Sequence, residues 1–361
     1  GFTRVINVWP AAPDGHPAAE QKYRFQWTAP ILISPHDENV VFTAGNVVFK
    51  STNRGQGWTP ISPDLARNDP KTTGISGGPI THDQTTAEYY ATVFALAQSR
   101  RNKDVMWAGS DDGLIHVTVD GGKKWTKVTP PNFGDFTRVS IIEASHVDAG
   151  TAYVAANRYQ LQDNAPYLYK TTDYGKTWTK IVTGLPEGEF TRAIREDPVR
   201  RGLLFATTEK SVYVSFDDGA HWRSLKRNLP IVPVHDLVVK DNDLVVATHG
   251  RSFWILDDIS PLRQMTLDMS KKTLALYAPS DAYRIQWGNP DEVFSFPSQP
   301  VGMNAPSGAI IYYALATANQ PVTIDILDAK GQLVHSFKSG MDSLAAADSA
   351  WAKNRAAPAS F

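Results

Sequence analysis

Paired carboxylates are the first side chains to weigh, because glycoside hydrolysis needs two of them about 5–9.5 Å apart. The chain offers Asp111-Asp112, Glu143, Glu196-Asp197 and Asp257-Asp258. The first pair falls where one strand-like run turns into the next, and the last follows a strand-like run, so turn and capping roles compete with catalysis there. Glu143 lies between Ile142 and Ala144, and Glu196-Asp197 precedes Pro198 at a strand end. Any of these could face a common channel, but sequence alone does not pair them. Arginine offers a second chemistry, charge-assisted binding of anions. Arg138 and Arg192 each follow a Phe-Thr pair, in Phe136-Thr137-Arg138-Val139 and Phe190-Thr191-Arg192-Ala193. They mark repeated geometry, with a channel lining as the sharper alternative. The 9 histidines are scattered, with no His-Glu-x-x-His or His-x-His pattern. His249, beside Arg251, is the most notable, and a turn or core histidine is its default role. Gly74 to Gly78 lacks the lysine and helix of a phosphate loop, and no EF-hand spacing is present. No metal and no cofactor are expected.

Two insertions carry further candidates. One runs from about Leu65 to Tyr90 and holds His82, Asp83, Tyr89 and Tyr90. A loop that long in a compact repeat is usually functional or disordered. A shorter one, Asn157 to Asn164, brings Arg158 and Tyr159. Together with Arg138, Arg192 and Arg251, these are the candidate binding residues.

What positions them is a repeat. Thr171-Thr172-Asp173-Tyr174-Gly175-Lys176-Thr177-Trp178 reads Thr-x-Asp-x-Gly-x-x-Trp. Thr118 to Trp125 and Ser215 to Trp222 fit the same template, and Ser51 to Trp58 fits with Asn53 for Asp. The residues Asn53, Asp120, Asp173 and Asp217 should accept backbone N–H groups and close a turn. The glycine two residues on supplies a positive φ. Trp58, Trp125, Trp178 and Trp222 start the outgoing strands and should pack back against the turn, each burying roughly 150–250 Å². These aspartates are therefore read as structural, not catalytic.

The four boxes resemble the Asp-box (BNR) repeat of sialidases, xyloglucan-cleaving endoglucanases and sortilin-type (VPS10) propellers. Each box closes a unit of short strands, and a fifth unit, Val234 to Leu256, keeps strands without a box. Four short strands at intervals of roughly 40–50 residues is a β-propeller signature. The fold class is all-β: an Asp-box β-propeller of about five blades over residues 1–261, a connecting segment at 262–290, and a partial immunoglobulin-like β-sandwich with an Ala-rich tail at 291–361. Within the last part, Gly308 to Leu315 reads as a buried strand. Val322 to Asp328 and Leu333 to Phe337 read as a hairpin around Ala329-Lys330-Gly331.

The 361 residues suffice for two domains, and a net charge of −1 with 20% charged residues argues against a nucleic-acid partner. Cysteine is absent, which excludes disulfides and thiol nucleophiles. It also departs from animal sortilins, so the resemblance is better to bacterial sortilin-like proteins of about double this length. No run of about 18 apolar residues predicts a membrane span. The opening Gly1-Phe2-Thr3-Arg4-Val5 reads as the middle of a larger polypeptide, with no signal segment in residues 1–20. The resemblance implies an extracytoplasmic, periplasmic or secreted, binding module. Its ligand, a peptide or glycan, would sit in the central channel or on face loops. Its ring would close against a missing N-terminal half of the same propeller. The rival is a xyloglucanase-type glycoside hydrolase with a carboxylate pair. Sialidase activity is not expected, because Arg138 and Arg192 lack the Arg-Ile-Pro context.

Overall fold

The computed structural model describes residues 3–10, 15–77, 79–82, 89–266, 274–282 and 308–339. Its strands form consecutive antiparallel meanders. The first sheet holds β1 (Ile31–Ile33), β2 (Val41–Ala44), β3 (Val48–Ser51) and β4 (Thr59–Pro60). The second holds β5 (Val93–Gln98), β6 (Met106–Ser110), β7 (Ile115–Thr118) and β8 (Thr126–Lys127). The third holds β9 (Arg138–Ala144), β10 (Ala152–Arg158), β11 (Asp163–Thr171) and β12 (Thr179–Lys180). The fourth holds β13 (Thr191–Glu196), β14 (Leu204–Thr208), β15 (Val212–Ser215) and β16 (Arg223–Ser224). The fifth has β17 (Val234–Lys240), β18 (Asp243–Thr248) and β19 (Phe253–Leu256) and no fourth strand among the described residues. These sheets are propeller blades.

Both faces of most blades are covered, which is why their strands are nearly continuous apolar runs rather than alternating ones. The core is accordingly a series of layers between neighbouring blades. Phe42, Ala44 and Val48 meet Val93, Met106 and Ala108 between the first two. Trp107, Ile115 and Val117 meet Val139, Ile142 and Val154 between the second and third. Tyr153, Ala155 and Leu168 meet Ile194, Leu204 and Tyr213 between the third and fourth. Leu203, Phe205, Val212 and Val214 meet Leu237, Leu244 and Val246 between the last two.

The boxes close as their chemistry requires. The Ser51, Thr118, Thr171 and Ser215 hydroxyls donate to Asn53, Asp120, Asp173 and Asp217. Each hydroxyl also accepts the box glycine N–H. The Asn or Asp Oδ1 accepts the N–H four residues on. The tryptophans also do something the sequence does not announce, because each indole N–H reaches a carbonyl outside its own blade. Trp125, Trp178 and Trp222 donate Nε1–H to the carbonyls of Ile61, Val128 and Ile181 at 2.8, 2.6 and 2.7 Å. Those carbonyls follow β4, β8 and β12 directly. Trp58 donates in the same way to the Ile6 carbonyl, 3.1 Å away.

A helical turn, α1 (Ser260–Gln264), follows the fifth blade. Asp258 accepts the Ser260 N–H at its start. Arg200 donates to the carbonyls of Leu262 and Met265, and Arg263 to Asp197. These bonds tie residues up to Met265 into the propeller unit.

The second compact unit begins at Thr266. Its described strands form two ribbons, β20 (Leu274–Leu276) with β21 (Tyr313–Leu315) and β22 (Thr323–Leu327) with β23 (Leu333–Lys338). The predicted hairpin is β22–β23, turning where Asp328 accepts the Lys330 and Gln332 N–H groups. The strand expected across Gly308 to Leu315 is only Tyr313–Leu315, and Tyr313 and Ala314 are exposed instead of buried. Among the described residues each ribbon has two strands and no third to widen it into a sheet. The Ala-rich tail from residue 340 lies outside the described residues.

Candidate functional site

The innermost strands β5, β9, β13 and β17 lie side by side from blade to blade, and each is broken by a bulge near its start. In β5 the register skips Phe94, in β13 Arg192 and in β17 His235. In β9 it skips Ser140. Pairing to the box strands puts these four residues at one position of the repeat. A bulge leaves its extra residue unpaired and re-aims the strand. The outcome is a row of unlike side chains at one level of the ring. The two Phe-Thr-Arg triplets are not equivalent, contrary to the sequence-based expectation. Ser140 matches Arg192, so Arg138 takes the place of Phe190, two residues earlier. A slip of two keeps a side chain on the same face, and the two arginines still meet.

Arg138 lies beside this row, two residues before Ser140. Its guanidinium lies 5.1 Å from the Phe94 ring and 5.7 Å from the Tyr159 ring. Nη1 donates to the Tyr159 hydroxyl at 3.2 Å and Nη2 to Gln160 Oε1 at 2.6 Å. Its buried Nε has no hydrogen-bond partner. Both partners are neutral, so no carboxylate balances this charge through a hydrogen bond. Tyr159 stacks on Phe190 at 4.7 Å and 19°, and Arg192 lies over both rings. Arg192 differs from Arg138 in having an acid, donating Nε–H to Glu209 at 2.7 Å. His235 stacks on His249 at 4.9 Å. Burial, and then the charges of Arg192 and His249, hold the His235 pKa below its ordinary 6.5.

A second charged cluster lies toward the other ends of β9 and β13. Arg195 donates to Glu143 at 3.1 Å and to both Asp236 oxygens at 2.9 Å. His146 Nε2 lies 3.1 Å from Glu143. Its backbone N–H and the Ser145 hydroxyl both donate to Glu196 Oε2, leaving Oε1 buried without a partner. Burial pushes the Glu196 carboxyl up against those hydrogen bonds. Burial acts on Glu143 too, but the His146 bond and the Arg195 guanidinium outweigh it and hold that carboxyl below the usual range. These residues border a cavity of about 420 Å³ whose other wall is Val238, Val245, Ala247 and Phe253.

Of the candidates, Arg138, Tyr159 and Arg192 are brought together. Tyr90 stacks on Phe136 and donates to the Asp111 carbonyl; burial, then the charges of Asp111 and Asp112, raise its pKa, and Arg138 offsets this only in part. The others do different work. Tyr89 is buried, its hydroxyl on the His16 carbonyl. Arg158 is spent on Asp163, Thr137 and the Asp135 carbonyl, clamping its own insertion. His82 is exposed and bridges Gly77. Arg251 is exposed at the turn before β19, and Asp83 lies outside the described residues. The Asp111-Asp112 turn is structural: Asp111 accepts from Thr92 and Gln26, and Asp112 from Ser110 and Arg67. Sequence reasoning missed Phe94, Phe190, Gln160, Glu209, His235, Arg195 and Asp236. Bulges place Phe94 and His235, the insertion after β10 delivers Gln160, and tertiary packing brings the others in; none of these has a residue signature in the strands. Among the described residues no group of His, Asp and Glu is placed to hold a metal ion.

The chain matches no protein family and no curated protein by sequence. Similar solved structures include a GH74 xyloglucanase from Xanthomonas campestris, 16% identical over 63% of this chain and 36% of that one, with a TM-score of 0.47. YCF48 from Cyanidioschyzon merolae is 18% identical over 45% of this chain and 52% of that one, with a TM-score of 0.37. YCF48 bound to D1 peptide is 17% identical over 65% and 67%, with a TM-score of 0.40. The chain thus spans about a third of the xyloglucanase and about half of YCF48. At these scores the propeller fold stands on the chain's own blades.

Proposed function

We propose that this protein is an extracytoplasmic binding module of the sortilin-like, BNR-repeat kind, and that the row around Arg138 takes a carboxylate on a peptide. One observation carries the reading: a part-buried guanidinium held between two aromatic rings, with only neutral hydrogen-bond partners. Such a cation, desolvated and pre-oriented, gains more from an incoming carboxylate than an exposed one does. Phe94, Tyr159 and Phe190 supply apolar surface beside it, and Arg192 a second positive charge shared with Glu209. Calorimetric titration of peptides with free and amidated C-terminal carboxylates tests this. Binding of the free acids, weakened tenfold or more in Arg138→Gln, is expected. Equal affinity for amidated peptides, or for Arg138→Gln, would remove the site. Oligosaccharides bearing uronic acids form the second arm; preference for them would move the ligand from peptide to glycan.

A glycoside hydrolase is the second reading, and the carboxyls of Glu143 and Glu196 favour it. Environments that push two neighbouring acids apart are how one fold sets an acid and a base. Both are, however, engaged with His146, Ser145 and Arg195. Release of reducing sugar from xyloglucan, abolished in Glu196→Gln, would establish this reading over the first.

A further inference from the structure

The boundary between blades is built to one plan. At each, alternate residues of a blade's second and third strands face the next blade; at the first three, the box tryptophan of the next blade also donates back to a carbonyl just past the outermost strand, whereas the fifth blade carries no box. In the fourth blade the facing residues of β15 are Val212 and Val214, each 3% exposed beneath the fifth blade. Strand pairing makes Phe253 and Ile255 of β19 their counterparts. These are 76% and 57% exposed, and Val238 on β17 is 52% exposed on the same side. The fifth blade thus presents, bare, the face that every earlier blade buries. The leading end of the series shows the same plan from the other side. The box glycines Gly122, Gly175 and Gly219 press on Ile61, Val128 and Ile181, and Gly55 presses on Ile6. With the Trp58 bond, Ile6 holds the place that Ile61, Val128 and Ile181 hold after the outermost strands of the first three blades.

We propose that the bare face of the fifth blade is a docking surface for a further propeller blade, carried on polypeptide outside the five sheets. The occupant is an antiparallel box-type blade, because continuity with the existing boundaries asks for two things of it. It must cover Val238, Phe253 and Ile255 with a flat apolar sheet face. It would also, as at the three box-bearing boundaries, aim an indole N–H at a carbonyl on the edge of the fifth blade. Docking would seal the cavity beside Glu143 and Arg195, whose wall includes Val238 and Phe253, and make it part of the ring's interior.

Photo-crosslinking from this face tests the proposal. The protein, produced in its own cells with p-benzoylphenylalanine in place of Phe253, is irradiated and the adduct peptide sequenced. Because Phe253 is exposed, the substitution leaves the blade's core intact, which circular dichroism checks. The expected adduct lies in a segment that carries the Ser/Thr-x-Asp-x-Gly-x-x-Trp box and does not come from these five blades. The same probe at Lys127, exposed on the outermost strand of the second blade, should give none. An adduct with residues 3–33 of the same chain would mean the ring closes on itself. An adduct with a second copy, distinguished by mixing isotopically light and heavy protein, would mean self-assembly. A non-blade protein, or no adduct, would leave the face without the proposed occupant. Each of these alternative results overturns the proposal.

Discussion

His235 ties the binding of an anion at this site to pH. An anion bound beside Arg192 stabilises protonated His235, whose free-state pKa lies below 6.5. Affinity for a carboxylate ligand should therefore rise as pH falls through and below that value. His235→Gln should flatten the dependence while sparing binding at about pH 8, where the imidazole is neutral, as titrations at both ends of the range would show. Asp111 gives a stability counterpart. Burial outweighs its bond from the Thr92 N–H and raises its pKa to about 7 from 3.8. A carboxyl raised in the folded state favours folding while protonated, so this contribution is lost as pH rises from about 4 through 7. The upper bound is about 4 kcal/mol, at about 1.4 kcal/mol per pH unit. Asp111→Asn should remove that slope in urea midpoints measured across the range. Arg138 was legible in the sequence as an arginine in a repeated context, but its isolation was not. Whether a guanidinium meets an acid or an amide depends on which loop folds over it, and here the insertion after β10 delivers Tyr159 and Gln160.

At the scale of the element, the box is a joint between blades more than a turn. Trp222, buried beneath its own blade and bonded to Ile181, should cost about 3–5 kcal/mol when truncated to alanine. A chemical denaturation midpoint measures it. Gly175 tests the other half of the joint. Its φ is 81°, and an added Cβ would lie 2.7 Å from Val128 Cβ, which leaves no room. Gly175→Ala should cost about 2–3 kcal/mol, combining left-handed strain with a clash. Gly188→Ala, at φ 79° in open space, should cost only about 1 kcal/mol. The strands and boxes were readable because β-branched runs and Asp-x-Gly turns act locally. The reach of the tryptophans was not, since the same ring could satisfy its own turn or a neighbour's carbonyl, and only tertiary packing decides. The bulges were hidden for the same reason: a register skip in β5 or β13 leaves the alternation of side chains intact on both sides.

At the scale of the molecule, the propeller unit holds its own hydrogen bonds to its last helical turn. A chain ending at Met265 should therefore keep the near-ultraviolet circular dichroism of the whole, since Arg200 and Arg263 reach Leu262, Met265 and Asp197 within that length. Loss of that signal would show that the later ribbons support the blades. One trait of the joint reaches further. The indole donates to a main-chain oxygen, which every residue possesses, so the outermost strands are free to vary. They do so in part: Arg223-Ser224 has nothing in common with Thr59-Pro60, although Thr126-Lys127 and Thr179-Lys180 are the same pair. What must persist is a branched aliphatic after three of them, at Ile61, Val128 and Ile181, where a box glycine presses. A box-bearing blade can therefore follow any neighbour that keeps this aliphatic residue, because the indole's own partner is a main-chain oxygen that no side-chain substitution removes.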